Sequence, residues 1–168
     1  MKYAIVYSSR TGNTSQLART ISEALPPEDC LYFGPPSPEA RRAPRLYVGF
    51  WTDRGTCDGA TRAFLTTLSD QEVFLFGTAG FGGAPAYFEQ ILSSVQANVP
   101  ASVRILGRYM CQGKMPQGVR QRYEAMEDGP RRAAMLENFD RALSHPDQLD
   151  LNRLSALIRN ESASSPQT

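Results

Sequence analysis

The chain has 168 residues, 41% of them hydrophobic, and a formal net charge of +1 at pH 7. That length fits one domain with a sizeable core, and so small a charge exerts no strong electrostatic pull on nucleic acid. No apolar run approaches the roughly 18 residues that a membrane span needs, and the sequence opens directly on a strand-like run without a signal peptide, so a cytoplasmic protein is expected. Cys30, Cys57 and Cys111 show no pairing spacing and no Cys-x-x-Cys, which suggests neither a disulfide framework nor a metal site. The single histidine, His145, precedes Pro146 in a loop-like Ser-His-Pro-Asp and reads as solvated and structural.

Five strand-like runs alternate with helix-like ones. The first, Lys2 to Tyr7, is nearly all apolar, as expected of a strand covered on both faces. It leads through Ser8-Ser9-Arg10-Thr11-Gly12-Asn13-Thr14 into an amphipathic helical pattern over Thr14 to Leu25. Such a helix start exposes unpaired N–H groups and the positive end of a macrodipole. Four hydroxyls, an Asn amide and a glycine crowd that spot, which makes it an anion site suited to a phosphate. It is not a P-loop, because the Gly-x-x-x-x-Gly-Lys spacing is absent, and with one glycine it is not the Gly-x-Gly-x-x-Gly fingerprint.

The second run, Cys30 to Phe33, is short and followed by Gly34-Pro35-Pro36-Ser37-Pro38, so it reads as an edge strand. Arg45 to Phe50 is the third strand, followed by Trp51-Thr52-Asp53-Arg54-Gly55-Thr56-Cys57-Asp58-Gly59 and a helix over Gly59 to Leu68. Glu72 to Gly77 is the fourth, followed by Thr78-Ala79-Gly80-Phe81-Gly82-Gly83 and a helix over Ala84 to Ala97. Val103 to Arg108 is the fifth. Beyond it, Cys111 to Gly118 reads as a loop, Val119 to Met126 and Arg131 to Leu143 as helices split by Gly129-Pro130, and Leu149 to Ile158 as a last helix. Residues 161–168 read as a polar, disordered tail after a single domain over 1–160. The alternation predicts an α/β fold: a doubly wound, five-stranded parallel sheet in the order 2-1-3-4-5.

Ligands of such sheets bind outside the carboxyl ends of the strands. Trp51, the only tryptophan, sits where the third strand leaves the sheet. Its ring either stacks on a flat ligand or plugs the core beneath the loop. The glycines after the fourth strand let backbone amides approach a flat ligand, and Phe81 either covers the ligand's second face or packs inward.

The run Ile5-Val6-Tyr7-Ser8-Ser9-Arg10-Thr11-Gly12-Asn13-Thr14 resembles the phosphate-binding loop of flavodoxins, and the resemblance extends over about residues 1 to 110. It implies FMN as cofactor, bound at the switch between strands 1 and 3. It implies Ser9, Arg10, Thr11, Gly12, Asn13 and Thr14 around the phosphate. For the ring it implies Trp51, Thr52, Asp53 and Gly55 on one loop and Thr78, Ala79, Gly80, Phe81 and Gly82 on the other. The expected activity is that of a monomeric electron carrier between a reductase and a redox partner enzyme, without nucleic acid. An alternative of the same fold is an NAD(P)H-dependent FMN or quinone reductase, or a porphyrin-type oxidoreductase, with Val119 to Leu143 walling a pocket over the flavin. A third is a cofactor-free partner-binding domain, against which the intact phosphate loop argues.

This sequence departs from flavodoxins in three respects. Flavodoxins are commonly acidic. They usually place a glycine after the third strand, beside the flavin N5, where a peptide flips on one-electron reduction. Here Thr52 and Asp53 stand first, and a Cβ residue resists positive φ by about 1–2 kcal/mol. Arg10 is a cation where flavodoxins rarely have one; it either points to solvent or pairs with the phosphate. Cys111 and Lys114 are expected after strand 5 near the cofactor side, and Cys111 has no resolving partner that would give it a redox role.

Overall fold

Alternate residues of the strands point to opposite faces, and each face carries its own apolar core, so the sheet must be covered on both sides. The computed structural model, which describes residues 1–82 and 84–164, has this arrangement. Strands β1 (Tyr3–Tyr7), β2 (Cys30–Gly34), β3 (Arg45–Asp53), β5 (Glu72–Ala79) and β6 (Arg104–Gln112) form a parallel sheet in the order β2-β1-β3-β5-β6. A two-residue strand, β4 (Thr56–Cys57), pairs antiparallel with the end of β3. Without β4 the order is the predicted 2-1-3-4-5.

On one face Val6, Val48, Phe50 and Leu75 pack with Phe64 and Leu65 of α2 (Gly59–Leu65) and Ile91 and Val95 of α3 (Pro85–Gln96). On the other, Ile5, Tyr47, Phe74 and Phe76 pack with Leu17 and Ile21 of α1 (Asn13–Ala24) and Leu154 and Ile158 of α6 (Gln148–Ser164). Each of these large apolar side chains contributes on the order of 1.5–3 kcal/mol when fully buried. Together the two cores fix the strand ends on which the loops depend. Two further helices, α4 (Gln117–Glu124) and α5 (Pro130–Ala142), lie after β6.

Several boundaries differ from the sequence reading. The third, fourth and fifth predicted strands all run further toward their carboxyl ends, to Asp53, Ala79 and Gln112. Trp51, Thr52 and Asp53 are therefore strand residues, as are Thr78, Ala79 and Cys111. The segment expected to be a loop is a hairpin: Thr52 pairs with Cys57 and Asp53 with Thr56, around a turn in which Arg54 (φ 52°) and Gly55 (φ 83°) are both left-handed. Helix α6 continues to Ser164 rather than ending at Ile158. Gly83 and the last four residues of the expected tail, 165–168, lie outside the described residues. His145 is half-buried, with its Nδ1 2.6 Å from Asp150 Oδ2, so it belongs to the start of α6 rather than to solvent. Asp147 and Asp150 each accept the other's backbone N–H at that start (both 2.9 Å), and the bond from Asp150 holds the Asp147 carboxyl below its usual range.

Candidate functional site

Strands β1, β3, β5 and β6 end at a common edge, and a cavity of about 290 Å³ opens there. That is near the lower end of the roughly 300–1,000 Å³ usual for small-molecule sites.

The first wall is the turn into α1. Gly12, left-handed at φ 87°, precedes the helix and offers no side-chain cap. Ser9 substitutes for one: its Oγ accepts the N–H groups of Gly12 (3.2 Å) and Ser15 (3.3 Å). Among the described residues the N–H groups of Asn13 and Thr14 have no protein acceptor. Asn13 is buried, and its Nδ2 donates to the Lys114 carbonyl at 2.8 Å. The other end of that amide, Oδ1, is buried without a partner. Thr11 Oγ1 donates to the same carbonyl at the long distance of 3.4 Å. The Thr14 hydroxyl is engaged by the protein: it donates to the Phe50 carbonyl (3.1 Å) and lies 3.3 Å from the Thr78 hydroxyl.

The second wall is the β3–β4 hairpin. Asp58, just beyond β4, anchors it by accepting the Trp51 N–H (3.3 Å) and returning its own N–H to the Trp51 carbonyl (3.1 Å). Asp58 also accepts from Thr61 at the start of α2. Thr52 Oγ1 donates to the Thr78 carbonyl at 2.8 Å, tying β3 to β5. Trp51 is half-buried, and the Arg10 guanidinium lies 5.4 Å from its ring centroid. Such a cation–π contact contributes about 0.5–1 kcal/mol at an exposed site. Arg10 thus lies over the indole.

The third wall follows β5. The Gly80 carbonyl accepts from Gln112 Nε2 (2.9 Å) and Asn138 Nδ2 (3.1 Å), so two amides pin this turn to β6 and α5. Phe81 is exposed beside it.

Of the residues expected around the ligand, Arg10, Thr11, Asn13, Thr14, Trp51, Thr52, Gly55, Thr78, Ala79, Gly80 and Phe81 line this cavity. Ser9, Gly12, Asp53 and Gly82 do not. A fourth wall consists of Gly113, Lys114, Met115, Pro116 and Val119, joined by Arg54 and Tyr87; of these the sequence points only to Lys114, near the cofactor side, and to Val119, at the start of the segment expected to wall the alternative pocket. The rule that picked the other loops points to it once β6 is known to end at Gln112. This wall is clipped on both sides, by the Asn13 bond to the Lys114 carbonyl and by the Lys114 N–H donating to the His145 carbonyl (3.0 Å). Cys111 takes no part. It is buried in the core under α1 and α6, where burial, and secondarily the Asp150 charge, push its thiol far above the ordinary cysteine range.

A parallel five-stranded order with unpaired N–H groups at the helix start after its first strand and a cavity at its carboxyl edge is the arrangement of the doubly wound nucleotide-cofactor binders. Over residues 4–159 the chain matches the family model described as flavodoxin domain. A flavodoxin-like domain-containing protein, BilS, of Clostridium symbiosum is 43% identical over 173 residues, covering 90% of each chain. A protein of the same description from Clostridioides difficile is 29% identical, covering 95% of this chain and 96% of its own. Among solved structures, a flavodoxin of Streptococcus pneumoniae superposes with a TM-score of 0.64 at 14% identity, over 98% of this chain and all of its own. A short-chain flavodoxin associated with a bacterial microcompartment gives 0.64 at 14% identity over 99% of both. The chain belongs to the flavodoxin family, a family of electron-transfer flavoproteins, and its cofactor is accordingly FMN. Among the described residues no helix is long and apolar enough to cross a membrane.

Proposed function

We propose that the protein is an electron carrier that holds FMN in the cavity at the β1–β3–β5 edge and passes electrons between a reductase and a redox partner enzyme. The observation that carries this reading is the α1 start. It offers unpaired N–H groups at Asn13 and Thr14, with the Thr11 hydroxyl beside them in the lining of the cavity, as donors to an anion. In this reading the phosphate takes the N–H groups of the turn together with Thr11, and the isoalloxazine lies among Trp51, Thr52, Gly80 and Phe81. FMN supplies one- and two-electron chemistry, while the chain binds, orients and shields it.

A second reading, a reductase acting on a small molecule over the flavin, is favoured by one observation. Pro116 and Val119, at the start of α4, line the same cavity and could wall a substrate against the ring. Absorption spectra separate the two. The carrier reading expects flavin bands that bleach with NADPH only when a reductase is added; bleaching by NADPH alone supports the enzyme, and the absence of flavin bands after reconstitution overturns both.

A further inference from the structure

The Gly80 carbonyl, in the turn after β5, has two lone pairs, and both are taken: by Gln112 Nε2 at 2.9 Å and by Asn138 Nδ2 at 3.1 Å. Gln112 gives its other amide proton to Asn138 Oδ1 at 3.3 Å, which closes a ring of two side chains and one peptide. All three bonds are partly buried. Gln112 is the last residue of β6, and Asn138 lies on α5 next to the buried Phe139. Met115 closes on the same glycine: a Cβ at Gly80 would lie 2.5 Å from Met115 Cγ. One amide would tether the turn. Two amides bonded to each other also fix the direction of its carbonyl.

That direction decides where the next N–H points. In a planar trans peptide the Phe81 N–H lies antiparallel to the Gly80 carbonyl. The carbonyl is drawn toward β6 and α5, and neither Gln112 nor Asn138 lines the cavity. Strand β5 lies between β6 and β3, so the N–H is turned toward the β3 side. There Trp51 and Thr52 line the cavity together with Gly80 and Phe81. Among the described residues this N–H has no protein acceptor. Hydrogen bonds to a carbonyl polarise its peptide and strengthen the N–H at the other end, by roughly 10–30% per bond.

We propose that Gln112 and Asn138 are positioning residues for the cofactor's redox chemistry. Their clamp on the Gly80 carbonyl presents the Phe81 N–H to the carbonyl edge of the isoalloxazine and raises the flavin's two-electron potential. The proposal rests on the FMN reading above. Reduction adds electron density to the carbonyl oxygens and ring nitrogens of that edge, so a donor there binds the reduced ring more strongly than the oxidised one. A donor held in place beforehand stabilises the charge as it develops, whereas a mobile one must first be ordered.

The test uses the FMN-loaded protein and measures its two-electron midpoint potential anaerobically against a reference dye, with dithionite supplying the electrons and solvent the protons. Asn138→Leu and Gln112→Leu each remove one donor and leave the other on the carbonyl. Each should weaken binding of reduced FMN roughly three- to tenfold more than binding of oxidised FMN, which lowers the potential by about 15–30 mV. The double variant should shift further than either single one. The infrared carbonyl stretches of the bound flavin should move to higher frequency in the same order. Where Asn138→Leu does not fold, Asn138→Ser, whose shorter side chain withdraws from the carbonyl, replaces it with the same expectation. Tyr3→Phe, which gives up a side-chain bond to the Pro26 carbonyl at the start of β1, should leave potential and stretch unchanged. The ratio of FMN to riboflavin affinity should stay the same in every variant, because the phosphate turn is untouched. Equal weakening of oxidised and reduced FMN, an unchanged stretch, a changed affinity ratio or an equal effect of Tyr3→Phe would overturn the proposal and leave the two amides a structural tether. The absence of flavin bands after reconstitution of the unmodified protein would overturn this proposal and the function beneath it together; failure after loading overturns the clamp alone.

Discussion

The contact between Gly113 and Asn13 links the fold to the site, and it yields a prediction with a definite sign. A Cβ at Gly113 would lie 2.4 Å from Asn13 Nδ2, 2.8 Å from its Cγ and 3.1 Å from its Cβ. Asn13 is buried at the start of α1 beside the cavity, so Gly113→Ala must push the amide off the Lys114 carbonyl. The lost hydrogen bond costs about 0.5–1.5 kcal/mol, and overpacking a filled site adds typically 1–3 kcal/mol. Gly113→Ala should therefore destabilise the protein by roughly 2–4 kcal/mol and weaken FMN binding. Asn13→Ala removes the atoms that clash, leaving only the Cβ contact at 3.1 Å. In that background Gly113→Ala should cost less than about 1 kcal/mol, a coupling well above the few tenths seen for independent sites. Denaturant unfolding of the two single variants and the double variant measures this directly. Additive effects would refute the claim that Gly113 is small in order to seat the Asn13 amide.

Trp51→Ala should weaken FMN binding by roughly 1–3 kcal/mol and relieve quenching of the flavin; unchanged affinity and quenching would mean that the indole does not touch the ring. Arg54→Gly should stabilise the apoprotein by up to about 1 kcal/mol, because a Cβ residue at φ 52° is strained where glycine is not, and a loss of thermal stability would contradict the hairpin turn. Burial pushes the Tyr3 phenol up to about 12, and its hydroxyl donates to the Pro26 carbonyl at 3.0 Å. A raised folded-state value means that the stability this phenol contributes is intact below its unfolded value of about 10 and is lost as pH rises toward 12. Denaturant midpoints of the native protein should accordingly fall more steeply above pH 10 than those of Tyr3→Phe, and parallel curves would show that Tyr3 plays no part.

The sheet was legible in the sequence because its strands are fully covered and so read as apolar runs: Tyr3 to Val6, Leu46 to Phe50 and Val73 to Phe76 are all buried. The strand ends were not. At Trp51-Thr52-Asp53, Thr78-Ala79 and Cys111-Gln112 the chain stays extended while the composition becomes polar or mixed, and at Trp51, Thr52, Thr78 and Ala79 part of its surface turns from the core to the cavity. Apolar periodicity stops there before the hydrogen-bond ladder does. Short β4 escaped for a related reason. A two-residue turn with both residues left-handed usually announces itself by Asn-Gly or Asp-Gly, and here Arg54 holds the first position. Thr52 and Asp53 are locked in the ladder with Cys57 and Thr56, and the positive-φ pair is Arg54-Gly55, one step further along. The hydroxyls of the turn expected to hold an anion divide their work: Ser9 caps the helix, Thr14 braces β3, and Thr11 faces the cavity.

The central claim is that the turn before α1 holds the phosphate of FMN, and a fluorescence titration of the apoprotein with FMN and with riboflavin tests it most directly. Riboflavin presents the same ring without the phosphate. Loss of two charge-assisted hydrogen bonds at about 1.5–3 kcal/mol each is worth 3 kcal/mol or more, over a hundredfold in affinity. The account predicts that FMN binds tighter by at least that factor, and that Thr11→Ala narrows the gap. Equal affinity for FMN and riboflavin would contradict it.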